Sequence, residues 1–101
     1  FIKRFSSDKK AIEYIKSKNW DMIYIDGGHD YEDVLFDYHL CLENLSDNGI
    51  IVLDDASLYT DYKPLSFAFK GHPGPSLVAR EYADKEMKFL GAVGHNNVFM
   101  K

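Results

Sequence analysis

Two short apolar runs, each closed by acids, organise this chain. The first is Asp21-Met22-Ile23-Tyr24-Ile25-Asp26; the second is Ile50-Ile51-Val52-Leu53, followed at once by Asp54-Asp55. Both are too short for helices and rich in β formers. Continuous rather than alternating hydrophobicity marks strands buried on both faces, which implies a parallel sheet covered by helices. Between the runs, Gly27-Gly28 supplies a sharp exit and Asp30 a helix cap, with Asp33 in the first turn where negative charge suits the helix dipole. Val34, Tyr38, Cys41, Leu42 and Leu45 then form one apolar stripe, and Ser46-Asp47-Asn48-Gly49 reads as a stop and turn. Strand, helix and strand in that order predict a right-handed βαβ crossover.

The flanks extend this pattern. Phe1 to Phe5 mixes apolar and basic residues as a strand does, and Ser6-Ser7-Asp8 is a helix-cap signal. From Asp8 to Lys18, Ala11, Ile12 and Ile15 share a helical face. Residues 56–75 gather all three prolines with Gly71, Gly74, Tyr59, Tyr62 and His72. A loop of that length is expected to act as a lid or substrate-binding segment. Pro75-Ser76 opens a third helix running to about Glu86. Met87 to Val93 and Asn97 to Met100 follow as a β-hairpin turning at Gly94-His95-Asn96.

Composition narrows the classes of function. Sixteen acidic against twelve basic residues give a net charge of −4, and no basic cluster exceeds Lys9-Lys10. Nucleic acid is therefore not an expected partner. The longest apolar runs are four residues, far below a membrane span. The single cysteine, Cys41, excludes a disulfide framework and fits a reducing compartment, so the expected location is cytoplasmic. It lies on the buried stripe and reads as a small core residue rather than a nucleophile. At 101 residues the chain forms one small domain or part of a larger one, and it starts with Phe1 inside an apolar pattern, as a fragment would.

The chemistry concentrates at the ends of the two runs. Neighbouring strands lie about 4.8 Å apart. Asp26, Asp54 and Asp55 would thus emerge together on the carboxyl edge, where open α/β sheets bind ligands. Three carboxylates so close repel unless a proton or cation sits among them, and a hard divalent cation such as Mg²⁺ prefers oxygen ligands. The plainer alternative is that Asp26 and Asp55 cap loops while Asp54 bonds the turn. His29, three residues past Asp26, is placed to take a proton from a substrate hydroxyl, or else to pair with Asp30 or Asp33 at the start of the helix. His39 is expected to be exposed mid-helix, and His72 and His95 to be loop residues without companions at metal-ligand spacing.

The stretch Ile25-Asp26-Gly27-Gly28-His29-Asp30-Tyr31-Glu32, followed by Asn48-Gly49-Ile50-Ile51-Val52-Leu53-Asp54-Asp55, resembles the second half of a class I S-adenosylmethionine-dependent methyltransferase. Within that family it is similar to the small-molecule O-methyltransferase branch, to which catechol and macrolide-sugar enzymes belong. The fold the resemblance implies is a partial Rossmann-like α/β sheet, parallel βαβ units followed by a carboxyl-terminal antiparallel hairpin. The site it implies has Asp26, Asp54 and Asp55 around Mg²⁺ or a similar cation, with His29 as general base. Ser6 and Ser7 would lie near the adenine of the cofactor, with Asp26 also beside it. The implied chemistry moves a methyl group from the sulfonium to the hydroxyl oxygen of a small acceptor molecule.

The family's glycine-rich first turn, ribose-binding acid and first two strands have no counterpart here. Residues 1–101 are therefore expected to be the carboxyl-terminal half of a longer methyltransferase, inactive alone and prone to self-association through an exposed edge strand. Two other readings stay open: a non-catalytic domain using the 56–75 loop to bind a partner, and a metal-dependent receiver-like domain. The latter ranks last, because its acidic pair should come first and no lysine follows a later strand.

Overall fold

The computed structural model describes residues 9–26, 30–59 and 71–101. Among them, helix α1 (Lys9–Lys16) leads into strand β1 (Trp20–Ile25), helix α2 (Tyr31–Glu43) and strand β2 (Leu45–Leu53). Further along the chain come α3 (Pro73–Val78), a π-helical stretch (Ala79–Ala83), the short α4 (Asp84–Glu86), and strands β3 (Lys88–Val93) and β4 (Asn96–Met100). The result is a small α/β fold with a mixed four-stranded sheet in the order β1-β2-β4-β3. The expected first strand (Phe1 to Phe5) and cap (Ser6 to Asp8) lie outside the described residues. No helix among the described residues is long and apolar enough to cross a membrane.

The βαβ unit forms as its sequence requires. β1 and β2 pair in parallel from Met22↔Ile50 to Ile25↔Leu53. The first pair, however, is Trp20↔Leu45, so residues 46–49 stand as an excursion inside β2 opposite the single residue Asp21. The Ser46 to Gly49 turn expected before the strand is thus absorbed into it. Asn48 takes a left-handed conformation (φ 64°) that an asparagine tolerates. α2 stops two residues short of Leu45, the last residue of the apolar stripe, which instead begins β2. Asn44 Nδ2 donates to the Leu40 carbonyl at 2.8 Å, and the Asn44 carbonyl accepts from Trp20 N at 2.9 Å.

One face of the sheet carries the core. Ile25, Ile51, Leu53 and Phe99 are buried together with Ile15 of α1, Val34, Tyr38 and Cys41 of α2, and Val78, Ala79 and Ala83 of the last helical segment. Period-two alternation puts Tyr24, Val52 and Val98 on the other face. The expectation that the first run is buried on both faces does not hold. Met22 is 59% exposed, because β1 is an edge of the described sheet and the helices of the described residues pack into the core on the opposite face; Asp21 is also exposed, at the register irregularity opposite residues 46–49. The second run, between β1 and β4, comes closer to the expectation: Ile51, Val52 and Leu53 are buried and Ile50 is half-buried.

The third helix starts at Pro73, two residues earlier than expected, since proline at the first positions costs no hydrogen bond and presets φ. The hairpin pairs Phe89 with Phe99 and Val93 with Asn96, so the turn is Gly94-His95 and Asn96 belongs to β4. β4 runs antiparallel to β2, from Leu53↔Asn97 to Ile50↔Met100. That places the hairpin turn at the carboxyl edge of the parallel strands.

Candidate functional site

The carboxyl edge is assembled by continuing each strand one or two residues past its last ladder pair. Asp54 N donates to the Ile25 carbonyl at 3.1 Å, so the parallel ladder brings the backbones around Asp26 and Asp54 side by side. Across β2, Leu53 opposes Asn97, which sets Asp54 and Asp55 against Asn96 and His95. Ala56 N closes the register on the His95 carbonyl at 2.7 Å.

Asp55 is the pivot of the edge. It adopts a left-handed backbone (φ 57°), 9% exposed, and its carbonyl accepts from His72 N at 2.9 Å and Ser76 Oγ at 3.2 Å. Ala56 bridges Gly71, which holds these two residues of the expected 56–75 loop together beside the acids. Gly71 has φ 127°, and a Cβ there would sit 2.1 Å from the Asp55 carbonyl oxygen. Only glycine permits this approach.

Three side chains converge. One ligand atom each from Asp54, Asp55 and His95 lies within 4.8 Å of the others. His95 Nε2 is 3.1 Å from Asp54 Oδ1 and 3.8 Å from Asp55 Oδ1. The carboxylates are mostly buried and the imidazole is partly open to solvent. Two carboxylates and an imidazole on one edge fit a divalent cation.

Tyr24, on β1, stands at the same edge. Its hydroxyl donates to Asn96 Oδ1 at 3.3 Å. Burial, then the charge of Asp54 and its hydrogen bond to the phenol, raise the Tyr24 pKa to about 12. Tyr24 is therefore a neutral hydrogen-bond donor throughout the physiological range.

The sequence expectations are met unevenly. Asp54 and Asp55 come together as expected. Asp26 directly follows β1 but is not part of the close group of three among the described residues. His29, Ser6 and Ser7 lie outside the described residues. His95, set aside as a loop residue without companions, is instead the third member of the group. The signal that finds it is pairing rather than spacing: once β4 is laid antiparallel to β2, the hairpin turn must meet the acids. His39 is half-buried rather than exposed, its ring 5.3 Å from those of both Tyr38 and Tyr82. Cys41 is fully buried, and burial followed by the nearby charge of Asp37 raises its pKa to about 12, as suits a core residue.

Of the loop aromatics, Tyr62 is outside the described residues, while Tyr59 borders a small cavity with Ser76, Arg80, Asp84 and Asn97. At about 10 Å³ it has room for roughly one water. It is too small for an acceptor molecule.

Residues 2–56, which include β1, α2, β2 and the acidic pair, match the model of a methyltransferase domain. The chain is also 34% identical over 64 residues to an uncharacterised protein of Acanthamoeba polyphaga mimivirus. That alignment covers 61% of this chain and 28% of the viral protein.

Proposed function

Because this chain belongs to the methyltransferase domain family, we propose that its carboxyl sheet edge serves methyl transfer from S-adenosylmethionine to a hydroxyl of a small molecule, assisted by a divalent cation. The observation that carries this reading is the paired Asp54 and Asp55 at the end of a parallel strand, drawn together with a nitrogen donor. Asp54 and Asp55 would hold the cation, with Asp26 beside them on β1. Ser6, Ser7 and Asp26 are the residues proposed for the cofactor. A bound cation lowers the pKa of a nearby hydroxyl and fixes its oxygen.

The remaining work falls to the chain. A bound methyl donor would supply the methyl group, its sulfonium leaving as a neutral thioether as the carbon–oxygen bond forms. The hydroxyl proton must go to a base, and His29, three residues past Asp26, is the residue proposed to accept it. Holding donor and acceptor in line at one sheet edge supplies the entropic part of the acceleration. The neutral Tyr24 phenol, donating to Asn96 Oδ1, stands beside Asp54 without adding charge to the edge.

The test uses the full-length protein with labelled methyl donor and a panel of phenols, sugars and other hydroxylated metabolites. Transfer should require a divalent cation and be abolished in the Asp54→Ala/Asp55→Ala double variant; undiminished activity there sinks the metal role. His29→Gln should lower the rate while leaving cofactor affinity nearly intact. A full-length protein that binds no methyl donor would instead favour a non-catalytic, partner-binding domain.

A further inference from the structure

We infer that His95, from the β3–β4 turn, is a protein ligand of the cation, and that the site therefore takes a first-row transition cation of the Mn²⁺-to-Zn²⁺ class in preference to Mg²⁺. This rests on the metal-assisted reading above and changes both the ligand set and the metal.

The geometry argues for a shared ion rather than a simple histidine–aspartate hydrogen bond. One Nε2–H serves one acceptor well, yet Nε2 faces two carboxylates, at 3.1 and 3.8 Å. Asp54 Oδ1 is closed off from solvent and has no hydrogen bond of good geometry, although Nε2 is 3.1 Å away and the Tyr24 phenol lies beside the carboxylate. A buried anionic oxygen left in that state is costly. Ligands about 2.1 Å from one cation stand roughly 3 to 4 Å from each other, which is the spacing of Nε2 from each of the two carboxylates.

The placement is held from outside the group. The His95 carbonyl is fixed by Ala56 N at 2.7 Å, and its neighbour Asn96 accepts the Tyr24 hydroxyl. The turn is thus tied to both β1 and the segment leaving β2. Magnesium favours an all-oxygen shell and dehydrates reluctantly, whereas imidazole suits the later first-row metals.

The experiment titrates Mn²⁺, Zn²⁺ and Mg²⁺ separately into tag-free full-length protein by calorimetry and records pulsed electron paramagnetic resonance of the Mn²⁺ form. The expected result is Mn²⁺ and Zn²⁺ binding at least about tenfold tighter than Mg²⁺, with imidazole-nitrogen modulation on Mn²⁺. His95→Ala should remove the modulation and weaken Mn²⁺ by about 10- to 100-fold or more, as ligand-shell losses do. His95→Gln, with matched circular dichroism, guards against a folding defect. Modulation and affinity that survive in both variants overturn the His95 assignment; if binding still requires Asp54 and Asp55, the metal-assisted reading stands. Wild-type protein that binds none of the three cations overturns both.

Discussion

Asn97 Nδ2 donates to Ser57 Oγ at 2.9 Å, and both residues are almost wholly buried. This bond ties the start of β4 to the segment that leaves the acidic pair, two residues beyond Asp55. Removing it unmoors the hairpin from the edge it completes. Asn97→Ala strands the Ser57 hydroxyl in an apolar surround, and a buried unsatisfied polar group costs about 1–3 kcal/mol. Urea denaturation should show that loss, while Ser57→Ala, leaving the amide unpaired, should show a similar one. A double variant costing much less than the sum of the singles would establish the coupling.

Gly71 controls the same edge from the loop side. Its φ of 127° is strained for other residues, and its missing Cβ would lie 2.1 Å from the Asp55 carbonyl oxygen. Gly71→Ala must therefore push Asp55 or break the Ala56 bridge. The expected cost is about 2–4 kcal/mol, read as a lowered thermal midpoint. Divalent-cation binding should fall with it, since Asp55 moves. A midpoint unchanged within error would mean that the approach of Gly71 to Asp55 is wrong.

Much of this arrangement is written in local pattern. The runs at residues 21–26 and 50–53 announce two strands, and Asp30 with the Val34, Tyr38 and Cys41 stripe announces the helix between them; all three form, although β2 begins at Leu45, five residues ahead of its apolar run. Strand ends are legible because apolar runs stop where the chain meets water, so Asp54 and Asp55 are found by position alone. What was not legible depends on pairing across distance. Nothing near His95 signals a ligand, and its role appears only when β4 is set against β2 rather than against β3 alone. Exposure of Met22 has the same origin: an edge position is a property of the sheet, not of the six residues of β1.

Tyr24 offers a pH test of the edge. Its pKa lies above the ordinary 10.0, at about 12, because burial and then the charge of Asp54 disfavour the phenolate. Below pH 10 the phenol is neutral in both folded and unfolded chains, and the full stabilisation is present. Between pH 10 and 12 the unfolded chain ionises first, so stability falls as pH rises through that window. Tyr24→Phe should flatten that part of the profile. Tyr31 and Tyr38 are raised as well, so the informative quantity is the difference between wild type and variant. Parallel curves for the two proteins from pH 9 to 12 would remove Tyr24 from the electrostatics of the site.

Cys41 reports on the core beneath the edge. The thiol is fully buried against the sheet, and its pKa is raised from 9.0 to about 12 by burial and then by the charge of Asp37. Only the thiolate reacts with alkylating agents, and a shift of this size lowers its fraction at pH 8 by about a thousandfold, before steric exclusion is counted. Iodoacetamide should therefore modify native protein at a negligible rate and unfolded protein readily. The labelling rate then measures opening of the core, and its logarithm should rise in Gly71→Ala and Asn97→Ala in proportion to their lost stability. Rapid labelling of the native protein would show that α2 does not close over the sheet as described.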